Sequence, residues 1–167
     1  MNILSYNSWL ALARPWRILF MLVLLAMVQY AGGRDGHAPA EVSNHLISYC
    51  LNLAHQPLYA MVGLTFLLAL GLKPGTRLAL FLAVSFAMLV GIYDELHQAT
   101  IEYRDSCLWD IGSDMLGATF GVIVAIWSDR KGGVFAHLLP MAGLLVLSLL
   151  WNFLPSFAYQ YPLPFTG

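Results

Sequence analysis

Apolar residues fall into five long runs separated by short polar breaks. The runs cover residues 16–33, 51–72, 77–98, 108–127 and 134–154. A spanning helix needs about 20 mainly apolar residues, with ~17 as a lower limit, so each run predicts a membrane-crossing helix. The breaks carry turn chemistry: "GGRDG", "KPGT", "RKGG" and a final "LPSF". The strict alternation of a membrane barrel is absent. An all-α polytopic bundle of about five helices is therefore expected.

Composition sharpens this picture. The 167 residues are 59% hydrophobic and 10% charged, whereas soluble chains carry roughly 25% charged residues. One integral membrane domain over 1–167 fits, with no room for a second. At the N-terminus, "VQYAGGRD" makes a poor cleavage site, so the first run reads as a retained span. Before it, "MNILSYNSWLALARPW" predicts a short amphipathic helix on the inner leaflet. After the fifth run, the aromatic and proline-rich tail 155–167 predicts an outer interfacial anchor.

Basic residues in short loops orient such a chain. With the N-terminus inside, Arg14, Arg17, Lys73, Arg77, Arg130 and Lys131 are cytoplasmic, and only Arg34 and Arg104 lie outside. The C-terminus then lies outside. Net charge is −1 and no basic patch tracks phosphates, which argues against nucleic acid.

The acids run the other way. Six of the nine carboxylates lie within residues 91–121, across the outer ends of the third and fourth spans. Asp94 and Glu95 are four and three residues before Gln98, so Gln98 can neighbour either. Asp110, Asp114, Gly117 and Gly121 step by four, three and four along one helical face. The glycines of "GATFG" predict close helix packing. Asp114, deeper than Asp110, is expected to face the bundle, paired with Arg104 or protonated. On the second span, His55 and Tyr59 are one turn apart, and Pro57 between them should kink the helix. His97 lies beside the acids as a weaker candidate.

The stretch "DELHQATIEYRDSCLWDIGSDMLGATFG" resembles the VanZ-like family of bacterial membrane proteins. The family pattern is Glu-x-x-Gln, Arg, Asp, then Asn-x-x-Gly-x-x-x-Gly. Glu95, Gln98, Arg104, Asp110, Gly117 and Gly121 match it. Asp114 stands where the family has Asn, and Glu102 with Tyr103 replace a Pro-Gly pair. "HQPLY" is similar to the family's His-x-x-x-Tyr at His55 and Tyr59, but Leu51 and Asn52 replace its preceding Asp-Lys. The motif-bearing part is thus about 51–121. The resemblance implies a cell-envelope role, linked in the family to resistance to teicoplanin-type glycopeptide antibiotics.

Three classes of function follow. An enzyme acting on an outer-leaflet headgroup or lipid-linked sugar would use Glu95 or Asp110 as acid or base, and Arg104 to hold a phosphate or carboxylate. A binding protein would use the same patch to recognise a lipid-linked cell-wall precursor or a lipoglycopeptide. A transporter would need ionisable groups through the full depth of the membrane, and the inner halves of the third and fourth spans carry none. The bland alternative is that the cluster only locks helix ends. No cofactor is diagnosed; a divalent cation on Asp110 and Asp114 is chemically suitable. Cys50 and Cys107 both fall outside by this topology, where they can form a disulfide.

Overall fold

A computed structural model describes residues 6–32, 45–101, 107–129 and 135–153. Among these the chain is mostly helical, with no strand. The order is α1 (Tyr6–Leu10), α2 (Arg14–Gly32), α3 (His45–Leu70), α4 (Arg77–Gln98), α5 (Leu108–Asp129) and α6 (Phe135–Phe153). Four helices are long and apolar enough to cross a membrane: Arg14–Ala31, Asn52–Leu70, Arg77–Gln98 and Leu108–Ser128. The fifth expected run is α6, a helix of 19 residues whose fully described apolar stretch is Pro140–Phe153. Large apolar side chains cover the outer faces, including Phe20 and Met27 on α2, Phe81 and Leu89 on α4, and Val146 and Leu150 on α6. The chain is an all-α, multi-pass membrane protein.

Without a hydrophobic drive between helices in lipid, close backbone approach holds such a bundle together. Here α3 and α5 supply it, running side by side in the same direction. A Cβ on Gly117 would overlap the carbonyl oxygen of Gln56, and one on Gly121 that of Ala60. A Cβ on Gly63 would come within 3.0 Å of Ala118 backbone atoms. α4 packs antiparallel against this pair through small residues four apart: Ala79, Ala83, Ala87 and Gly91 are all buried. Its Thr76 side chain caps the start, accepting the N–H of Ala79 at 3.1 Å.

The α3–α4 turn holds two glycines in the left-handed region, Gly71 and Gly75. Gly71, at φ 66°, ends α3 in a left-handed cap, with Gly71 N–H on Leu68 O at 3.2 Å and Leu72 N–H on Leu67 O at 3.0 Å. Around this turn the N-terminus docks. The Tyr6 hydroxyl donates to Leu72 O at 2.7 Å, and Arg17 Nη1 donates to Leu68 O at 2.6 Å. Of the expected N-terminal amphipathic segment, residues Tyr6–Leu10 form a short helix pinned to the bundle by the buried Tyr6. α3 continues as one helix through Pro57.

Two apolar layers stack above this end. Tyr6, Leu67, Leu68, Ala79, Val122 and Ala125 pack first, then Leu24, Val28, Tyr59, Val62, Ala87 and Ala118. Beyond the second layer the interior turns polar. On the α5 side, α6 is fastened by Trp151 Nε1 donating to Trp109 O at 2.9 Å and by Ser113 donating to Asn152 Oδ1 at 2.8 Å. The tail 155–167, Arg34, Arg130 and Lys131 lie outside the described residues.

Backbone cannot step aside as a side chain can, so Gly121→Leu is expected to lower stability by about 1–3 kcal/mol or more. Gly143→Ala on α6 meets nothing within 4 Å and should leave stability unchanged or slightly raised. Thermal unfolding midpoints of the two variants in detergent check the contrast.

Candidate functional site

The polar layer forms where the start of the α3 span, the end of α4 and the start of α5 meet. Asp94, Glu95 and Gln98 come from α4 and Asp110 and Asp114 from α5, all buried. Glu95 and Asp114 retain only 1% exposure. A buried carboxylate needs donors or a proton to be tolerated, and the layer supplies several donors.

His55 Nδ1 lies 3.1 Å from Asp114 Oδ1, joining α3 to α5. Asp114 was expected to pair with Arg104 or to be protonated; among the described residues its partner is a histidine from the neighbouring helix, and Arg104 lies outside them. Gly91 on α4 makes room for this carboxylate, because a Cβ there would overlap Asp114 Oδ2. Tyr59, fully buried, lies one turn from His55 with the rings parallel within 3° and 6.2 Å apart. Its hydroxyl sits beside Asp114, without a well-formed hydrogen bond among the described residues.

Gln98 resolves its choice of neighbour in favour of Asp94, donating from Nε2 to Oδ2 at 2.9 Å. Glu95 reaches forward instead. Its Oε2 accepts the backbone N–H of Cys107 at 2.6 Å, tying the end of α4 to the residue before α5. The other oxygen, Oε1, is buried with no hydrogen-bond partner among the described residues. Asp110 sits in the first turn of α5, where the helix dipole favours negative charge. Its charge acts on both His55 and Glu95.

Arg104 falls within 102–106, outside the described residues. The Glu95–Cys107 bond brackets the segment that carries it. His97 is only half-buried and does not bond to the cluster; its ring tilts against Tyr93 at 6.5 Å. Gly117 and Gly121 lie below the layer in the α3–α5 contact. The Cys50–Cys107 disulfide is not formed: both thiols are free, Cys50 exposed and Cys107 partly buried beside Glu95. Among the described residues, no group of three or more His, Cys, Asp or Glu has an arrangement that could hold a metal ion.

Three contributors escaped the reading of the sequence. Gly91 lies four residues before Glu95 and seven before Gln98, a helical spacing that places all three on one face. The Ala79, Ala83, Ala87 stripe has the same spacing of four and was legible in "ALFLAVSFAMLVG". Ser113 and Asn152, 39 residues apart, form a buried pair that no local pattern announces.

No protein-family model, curated protein or solved structure matches this chain. Chemically, the layer presents buried carboxylates, with one oxygen of Glu95 left open among the described residues. It is suited to hold a proton or to receive a donor-bearing group.

Cys107 reports on this charge. Burial, then the nearby Asp110 and Glu95, push its thiol up to about 11, partly offset by backbone N–H groups of α5. Its thiolate therefore forms only as pH rises toward that value, and alkylation in a Cys50→Ser background should be slow at neutral pH and climb steeply above it. Asp110→Asn removes one raising charge, so labelling at a fixed pH of 8 should accelerate, by about tenfold for each unit the pKa falls. Iodoacetamide rate profiles against pH measure both.

Proposed function

We propose that the chain is a VanZ-like protein of the bacterial cell inner membrane, with its acidic end facing outward. There it binds or acts on a lipid-linked or cell-wall ligand at the outer leaflet. The observation that carries this reading is the convergence of His55, Glu95, Asp110 and Asp114, from three helices, into one buried layer. Ionisable groups inside a membrane protein are costly and mark functional sites. The matched positions Glu95, Gln98 and Asp110 all belong to this layer, and Arg104 lies in the segment that Glu95 brackets.

Orientation draws support from the charge at the opposite end. Arg14, Arg17, Lys73 and Arg77 gather around the α3–α4 turn, as cytoplasmic residues would under the positive-inside rule. Transport is disfavoured because the two layers beneath the polar one are apolar. A purely structural role for the cluster has its own support: Gln98–Asp94 and Glu95–Cys107 are bonds that lock helix ends. By the resemblance, the function would be expressed as altered sensitivity to teicoplanin-type antibiotics.

Glu95→Gln, Arg104→Ala and Asp110→Asn separate the two readings in a host whose lipoglycopeptide sensitivity depends on the chain. A ligand site predicts normal membrane accumulation with the phenotype lost in all three. Failure of the variants to accumulate would assign the cluster to folding. Alkaline phosphatase fused to the C-terminus should be active, and an inactive fusion paired with a fluorescent cytoplasmic one would reverse the orientation.

A further inference from the structure

The opposite end of the bundle carries a cavity of its own. A groove of about 410 Å³ runs between α1, α2 and α3, lined by Trp9, Trp16, Phe20, Val23, Leu68 and Arg17 among others. Thr65 also lines it, but its hydroxyl is spent on the carbonyls of Met61 and Val62 at 2.8 and 3.1 Å. The wall is therefore hydrocarbon and indole with one cationic group. Trp16, Phe20 and Val23 are exposed on the outer face of α2, the helix least covered by the rest of the protein.

Arg17 makes this groove more than an apolar dent. Its Nη1 is committed to Leu68 O, while its Nε is buried with no acceptor among the described residues. A buried donor left unmet costs about 1–3 kcal/mol, more for a charged group. An oxygen brought by a ligand would remove that cost. Arg14, Lys73 and Arg77 flank the same end, and the one described carboxylate position there is Asp129, at the end of α5. A molecule with a long apolar part and a negative oxygen-bearing head fits both the wall and the charge.

We propose that this groove holds one anionic phospholipid, with an acyl chain along Trp16, Phe20 and Val23 and its phosphate on Arg17. The site lies at the far end from the carboxylate layer and does not depend on the function assigned to that layer. Basic residues near a membrane surface attract anionic lipid by about 1 kcal/mol each. One such residue gives about a fivefold preference over a zwitterionic lipid.

Native mass spectrometry of the full chain, released from nanodiscs of equal phosphatidylglycerol and phosphatidylcholine, tests this. One retained phosphatidylglycerol, favoured about fivefold, is expected. Val23→Trp fills the groove while sparing the Arg17–Leu68 bond, and should lose the retained lipid. Arg17→Lys keeps the charge but removes the Nε–H, and should bring the two lipids toward equal retention. Equal retention by the wild type, no retention, or an unchanged Val23→Trp would overturn the proposal. A disulfide-linked dimer through Phe20→Cys in intact membranes would give the groove to a second copy and overturn it equally.

Discussion

Contact between the backbones of α3 and α5 governs the rest of this molecule. Gly117 on Gln56 and Gly121 on Ala60 bring the two helices to a separation no larger residue permits. One turn beyond those contacts the same seam continues as His55 against Asp114. The glycines thus set the distance at which a histidine on one helix meets an acid on the other. Were the helices held apart by side chains, Asp114 would be a buried carboxylate deprived of its His55 partner, an arrangement of high cost. Packing and polar chemistry are here one constraint seen at two heights.

The layering of the bundle follows from that seam. Small residues on α4 let it lie close to the α3–α5 pair, and the stripe that begins with Ala79 ends with Gly91, whose missing side chain is occupied by Asp114. Apolar layers fill the body, Arg14, Arg17, Lys73 and Arg77 gather around the α3–α4 turn, and Asp94, Glu95, Asp110 and Asp114 close the other end. Each end is tied by side chain to backbone: Arg17 and Tyr6 hold the turn, and Glu95 holds the start of α5. In an apolar medium such bonds have no water to compete with them.

The helices were legible because the bilayer demands long apolar runs, and turn residues mark their ends. α6 was readable in the same way, an apolar helix over Phe135–Phe153 within the expected run. Within the site, spacing along one helix was readable: Asp110, Asp114, Gly117 and Gly121 share a face, and Gln98 neighbours the acids one turn back. What spacing cannot supply is the partner on another helix. His55 and Asp114 are 59 residues apart, and Ser113 and Asn152 are 39 apart. Those pairings depend on helix register, which the glycine contacts decide only after the bundle assembles. The free state of Cys50 and Cys107 belongs to the same class, because membrane depth alone does not bring two thiols together.

The bond from Glu95 to the Cys107 amide has a dynamic corollary. It ties residues twelve apart in sequence through Glu95 Oε2, so a guest that takes that oxygen from the amide releases the leading turn of α5 as it binds. Occupancy and local fraying are then two faces of one equilibrium. An amide that exchanges slowly with solvent in the empty protein would become the first to exchange when that guest arrives.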